Sequence, residues 1–223
     1  MAGKLVVLEG TDGSGKSTQM QLLCERFRSE GRPFRKLTFP RYQEPSSWMV
    51  RMYLKGLFGK NPSDINAYAA STFYAVDRFA SYAVEWKDAY RAGGFFLADR
   101  YATSNAVHQT SKLPEEEWAL FFDWLADFEY VKLELPRPDL VLFLDMPVSQ
   151  SLTLLRQREK ETGTRADIHE GNQRYLAACH KSGLAAAEYY GWRKISCVEG
   201  EKVREAGAIH EEIYRLISAE LGD

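Results

Sequence analysis

Gly10-Thr11-Asp12-Gly13-Ser14-Gly15-Lys16-Ser17-Thr18 fits the phosphate-binding loop pattern G-x-x-x-x-G-K-[ST], with Gly10, Gly15, Lys16 and Ser17 in the four fixed positions. Before it, Leu5-Val6-Val7-Leu8 is an apolar run of strand length. After it, Met20, Leu22, Leu23 and Phe27 recur at roughly helical spacing. A strand, a glycine-rich turn and a helix are the parts that polyphosphate binding needs. Glycines let the backbone wrap closely around phosphates, and the loop N–H groups converge with the helix N-terminus on negative charge. The run from Gly10 to Thr18 is therefore expected to cradle a nucleoside triphosphate. The Lys16 ammonium would reach its β- and γ-phosphates, and the Ser17 hydroxyl would ligate Mg²⁺.

The length of 223 residues suits one domain, and a hydrophobic content of 45% is ordinary for a globular protein. A net charge of -2 supplies no basic field, so nucleic acid is not expected as a partner and phosphates must be met locally. Cys24, Cys179 and Cys197 lie far apart and form no C-x-x-C, which fits reduced thiols. No apolar run approaches the ~18 residues of a bilayer span. The first strand also begins too close to Met1 to leave room for a signal segment. A cytoplasmic location without a membrane partner is expected.

Further along, Phe34 to Phe39 reads as a second strand that ends in Pro40-Arg41-Tyr42. Ser46 to Leu57 reads as a helix, and Ser63 or Asp64 as the cap of a long helix towards Ala92. Phe95-Phe96-Leu97-Ala98 is a buried strand delivering Asp99-Arg100-Tyr101 at its end. Glu115 to Phe128 reads as a helix opened by Pro114 and three glutamates. Leu140 to Leu144 is a strand, followed by helices over Ser149 to Glu161 and Asn172 to Tyr190. Ile195 to Val198 is a last strand and Glu201 to Leu221 a last helix. Strands alternating with helices imply an α/β fold with a mainly parallel sheet covered on both faces. Ligands of such sheets sit beyond the carboxyl ends of the strands, which gathers Asp12, Arg41, Asp99 and Arg100 around one crevice.

Tyr74 and Arg78 lie four apart and share a helix face. The ring suits stacking on a base and the guanidinium suits a phosphate; the alternative is a core tyrosine beside a paired arginine. Asp99-Arg100 ends a strand at the crevice, where a carboxylate can face a metal ion and the arginine a second phosphate. Arg156, Arg158 and Arg165 surround Gly163 in a polar stretch that reads either as a mobile cover closing on the transferring group or as a solvated helix face. Asp167 and Glu170 follow and would orient those arginines or the metal shell.

Four signatures give the chain a family resemblance. Glu9 to Thr18, Thr38-Phe39-Pro40-Arg41-Tyr42, Phe73-Tyr74-Ala75-Val76-Asp77-Arg78 and Asp99-Arg100-Tyr101-Ala102-Thr103-Ser104-Asn105-Ala106 resemble those of thymidylate kinases, which phosphorylate dTMP with ATP. The likeness extends over most of the chain. It implies a three-layer P-loop kinase fold with a five-stranded parallel sheet, a single domain over residues 1–223, and a small mobile lid at 156–171. It also implies a homodimer, for which Trp118, Phe121, Phe122 and Trp124 offer an interface or else belong to the core.

Carried over residue by residue, the resemblance gives Asp12 the acceptor sugar 3′-hydroxyl and a part in arranging phosphates and metal. Arg41 and Arg78 would hold the dTMP phosphate, Asp99 would support Mg²⁺ with Ser17, and Arg100 would steady the acceptor. Tyr74 would stack on thymine where the family usually has phenylalanine, with Phe73 the candidate if the register is off by one. Asn105 and Gln109 are candidates for the base edge, and Tyr42, Ser104 and His108 complete the acceptor set. Adenine would lie near Glu199 to Val203.

Two positions depart from the family pattern. Gly13 stands where some members carry a loop arginine, which shifts the catalytic arginines to the lid: Arg156, Arg158 and Arg165. His108 stands where relatives often carry a tyrosine that senses the missing 2′-hydroxyl, which puts strict deoxyribose discrimination in question. The competing functions are a kinase with another nucleotide or deoxynucleoside acceptor, and a nucleotide-dependent switch or binding module.

Overall fold

The computed structural model describes residues 2–162 and 173–222, without the side chains of residues 158–162. The chain runs β1 (Lys4–Gly10), α1 (Lys16–Ser29), β2 (Arg35–Thr38), α2 (Trp48–Leu54), α3 (Ala67–Ser81), α4 (Lys87–Arg91), β3 (Phe95–Asp99) and α5 (Thr103–His108). It continues through α6 (Trp118–Ala126), β4 (Leu140–Asp145), α7 (Val148–Thr162), α8 (Gln173–Tyr190), β5 (Arg193–Ser196), β6 (Val198–Glu199), β7 (Lys202–Val203) and α9 (Ala206–Leu221). The first five strands form one sheet in the order β2-β3-β1-β4-β5, with every pairing parallel. The parallel α/β architecture expected from the strand–helix alternation, with the five strands that the family resemblance implies, is the one observed.

Alternation along β1 divides the core. Val6 and Leu8 pack with Met20, Leu23 and Phe27 of α1 and with Ile213 and Ile217 of α9. Leu5 and Val7 face the other way, onto Phe96, Tyr82, Trp86 and Tyr101. From the carboxyl end of β1 the chain leaves towards β2, and from β3 it crosses to β4, so the ends of β1 and β3 flank the crevice where such sheets bind ligands.

Several element boundaries differ from the sequence expectation. The long helix is capped by Asn66, whose side chain accepts from the Ala69 N–H at 2.8 Å. Asp64 instead closes a separate turn on Asn61. Wide π-helical turns occupy Tyr82–Trp86 and Asp127–Lys132; the second turns Glu129 into the interior. The last helix starts at Ala206, because Gly200 at φ 59 reverses the chain into the β6–β7 hairpin. Short α5 was not foreseen, since its polar face and apolar face are both buried. The aromatics of α6 belong largely to the core: Phe121 and Phe122 are buried.

Candidate active site

The loop between β1 and α1 lines a cleft of ≈ 1290 Å³ together with Thr38, Asp99, Arg100 and residues of α7. Gly10, Gly13 and Gly15 take φ values of 151, 77 and 89, which side chains rarely adopt. Lys16 is buried beneath the loop, and its Nζ donates to the carbonyls of Gly10 and Thr11, each at 2.8 Å. Burial pushes its ammonium down to about 8, with the Arg100 cation acting in the same direction. Ser17 and Thr18 are exposed on the cleft wall.

A second cleft, of ≈ 630 Å³, opens from the first. Asp12, Phe39, Pro40, Tyr42 and Arg100 line both. Beyond that junction the walls come from Tyr74 and Arg78 of α3 and from Ser104, Asn105, His108 and Gln109 on and after α5. Arg100 sits at φ 67, a left-handed conformation that costs a non-glycine residue about 1–3 kcal/mol. The turn aims its guanidinium between Asp12, whose Oδ1 accepts from Nη2 at 2.5 Å, and His108, whose Nε2 is 2.8 Å from Nη1. Burial would lower the Arg100 pKa, but the carboxylates of Asp12, Glu9 and Asp99 more than offset it, so the cation is secured.

Arg78 is fully buried and its Nε and Nη2 donate to Glu129, leaving Nη1 outside the pair. Desolvation there is again outweighed by the carboxylate, and the guanidinium pKa is raised. Asn105 Nδ2 reaches Ser71 O and Glu129 Oε1, both at 3.3 Å. Both partners only accept, which fixes the amide direction and leaves Oδ1 for the cleft. Gln109 Oε1 is buried and has no hydrogen-bond partner among the described residues.

Residues 8–206 match the family model described as thymidylate kinase. The chain belongs to the thymidylate kinase family. It is 30% identical over 191 residues to the thymidylate kinase of Mycobacterium tuberculosis strain H37Rv, spanning 84% of this chain and 87% of that one. It is 33% identical over 225 residues to the probable thymidylate kinase of Pyrococcus abyssi, covering 99% and 98% of the two chains. The solved thymidylate kinase of Candida albicans shares the fold at a TM-score of 0.69 and 20% identity, over 98% of this chain and 92% of that chain.

Of the acceptor residues expected from the thymidylate kinase resemblance, Asp12, Tyr42, Tyr74, Arg78, Arg100, Ser104, Asn105, His108 and Gln109 line the smaller cleft. Arg41 and Phe73 do not. Arg41 is turned onto α3, where its N–H and Nε donate to Asp77 at 2.8 and 3.2 Å, Nη2 donates to Ser46 at 2.9 Å, and Nη1 donates to Glu85. The two acids on the helix side draw it away from the cleft. Phe73 packs against Tyr53 and Phe58, at ring separations of 6.3 and 5.7 Å. Arg156 is exposed on α7; the side chains of Arg158 and Arg165, and the rest of the lid from residue 163, lie outside the described residues, as do Asp167 and Glu170.

Gly13 has a steric explanation that the motif does not contain. A Cβ there would lie 2.5 Å from Ser151 O and 2.9 Å from Leu155 Cγ, so α7 packs directly on the loop and leaves no room for a side chain. The residues flanking the β6–β7 hairpin also reach this region: Cys197 Sγ is 4.0 Å from Ser14 O, and Gln19 of α1 donates to Ala206 O at 2.9 Å.

Two contributors escaped sequence reasoning. Glu9 is completely buried and accepts from Thr103 Oγ1 at 2.7 Å, Ser104 Oγ at 2.6 Å and Tyr101 N at 3.3 Å, tying β1 to the start of α5. Glu129 does the same for Arg78 and Asn105. Its signal is faint: a lone acid between Phe128 and Tyr130, which, if buried, demands a cation.

The donor set fits Mg²⁺. Ser17 and Asp99 offer hard oxygens on the wall of the larger cleft, and no cluster of three or more acidic, histidine or cysteine ligands occurs among the described residues. Mg²⁺ is held in that manner, by one or two protein oxygens with substrate phosphates completing the shell.

Proposed function

We infer that the joined clefts pass the γ-phosphoryl group of ATP to dTMP, the reaction of the family to which the chain belongs, giving dTDP and ADP. The observation that carries this assignment is the continuity of the phosphate loop with a second cavity that holds two arginines, an aromatic ring and the unpartnered amide oxygen of Gln109. ATP occupies the larger cleft with its phosphates over Gly10–Thr18, and dTMP the smaller, with its phosphate at Arg100. Asp12 takes the acceptor sugar and orients Arg100, while Tyr74 stacks on the base. Asn105 Oδ1 and Gln109 Oε1 both accept hydrogen bonds, which suits the N3–H of thymine and disfavours cytosine, whose N3 is itself an acceptor.

The acceptor phosphate is already ionised near neutral pH, so the site needs no strong general base, and catalysis rests on positioning and charge neutralisation. Lys16 and Arg100 hold donor and acceptor phosphates in line. Ser17 and Asp99 would hold Mg²⁺, which would supply charge neutralisation to the donor phosphates. A lid at 156–171 would supply Arg156, Arg158 and Arg165 to the transferring group and exclude water, a division of labour that suits a loop closed to side chains at Gly13.

Tyr74→Ala is the direct check, with an acceptor panel at fixed MgATP. The KM for dTMP should rise about 10- to 100-fold, the range of a lost stacking contact, and the KM for ATP should stay within a factor of about two. Equal losses for both substrates, or dCMP turned over as well as dTMP, would overturn the assignment.

Homodimerisation belongs to the same reading. Val76, Phe79 and Val84 expose apolar surface along residues 67–91, whereas α6 has spent its aromatics on the core. Light scattering should give twice the chain mass, and Phe79→Glu should halve it; a monomeric parent chain refutes this.

A further inference from the structure

His108 lies buried in the wall of the smaller cleft. Its contacts constrain where the imidazole proton can sit. A guanidinium only donates, so at 2.8 Å from Arg100 Nη1 the His108 Nε2 must accept. A neutral imidazole has one donor and one acceptor, which puts the proton on Nδ1. Nδ1 faces the Cys179 sulfur on α8 at 3.6 Å. Burial pushes that thiol up to about 12, so it stays protonated, and its S–H points to Ser111 Oγ at 3.4 Å. The Ser111 hydroxyl in turn donates to the His108 carbonyl at 2.8 Å, where Tyr175 also donates at 3.1 Å. These contacts thus lead back to the backbone of the histidine they started from.

We propose that His108 is a positioning residue, held as its Nδ1–H tautomer by Cys179, whose Nε2 lone pair fixes the Arg100 guanidinium against Asp12. The alternatives fail on contact chemistry. An Nε2–H tautomer opposes one donor with another, and an imidazolium adds a second cation at the same distance. Ser182 Oγ donates to Val107 O at 2.5 Å, tying α8 to α5 next to the histidine. The kinetic consequence rests on the assignment of Arg100 to the acceptor phosphate; the tautomer does not.

The experiment has two arms. Nitrogen NMR of the full chain labelled at histidine, with the His108 signal assigned by its loss in His108→Gln, should show Nδ1 protonated and Nε2 bare near neutral pH. A proton on Nε2, alone or with Nδ1, overturns the proposal whether or not dTMP is the acceptor. In steady-state kinetics, His108→Leu should raise the KM for dTMP about tenfold and leave kcat and the KM for ATP within about twofold. His108→Gln, whose amide oxygen can accept from Arg100, should recover most of that loss. Equal defects in the leucine and glutamine variants would mean that the ring only fills space.

Discussion

Replacing Glu129 with leucine should cost about 3–5 kcal/mol of unfolding free energy, the range for breaking a buried ion pair from one side. Glu129 and Arg78 are both buried, and the carboxylate holds two guanidinium nitrogens of Arg78 and the amide of Asn105. Leucine leaves the cation in the interior without a counter-charge, where desolvation is at its most expensive. Urea unfolding followed by intrinsic fluorescence measures the loss. Glu129→Gln should fall between the two, since it keeps acceptor geometry but not charge. The acceptor site should suffer in step, because Arg78 and Asn105 both lose the group that orients them. A leucine variant within about 1 kcal/mol of the parent would show that the pair is not what secures Arg78.

Lys16→Ala should lower kcat by roughly 10²–10³-fold or more, the scale of deleting one aligned charge-stabilising donor from a preorganised site. Its Nζ is already held at the loop by two carbonyls, so the ammonium needs little reorganisation to meet a phosphate. Lys16→Arg should not restore the rate, because the forked guanidinium does not fit a slot shaped for a compact ammonium. The lowered pKa gives a second readout. The cation binds phosphate and the neutral amine does not, so the affinity for ATP should fall as pH rises through about 8. Calorimetry in buffers of different ionisation enthalpy should find proton uptake on ATP binding above that pH. Retention of rate within tenfold in Lys16→Ala would remove the lysine from the reaction.

The glycine-rich loop, the five strands and the shared helix face of Tyr74 and Arg78 were legible in the chain. Each rests on a local pattern: fixed residue types at Gly10–Thr18, short apolar runs for strands, and four-residue spacing for Tyr74 and Arg78. Arg41 was not legible. Its place after β2 follows from sequence order, but the side chain turns to Asp77 and Glu85, which come from a helix far along the chain. The start of α9 and the π turn at Glu129 were missed because hydrophobic periodicity does not mark a hairpin or a widened turn.

By itself, then, the sequence determined that a parallel α/β sheet presents a glycine-rich, lysine-bearing loop to a crevice at the strand ends. Those features follow from short-range patterning and backbone chemistry. Only the tertiary structure decided that α7 closes the loop at Gly13, that Glu129 secures Arg78, and that His108 faces Cys179. Each of these depends on burial. Packing between distant segments removes water, and the buried charges there are stabilised by partners that no local pattern names.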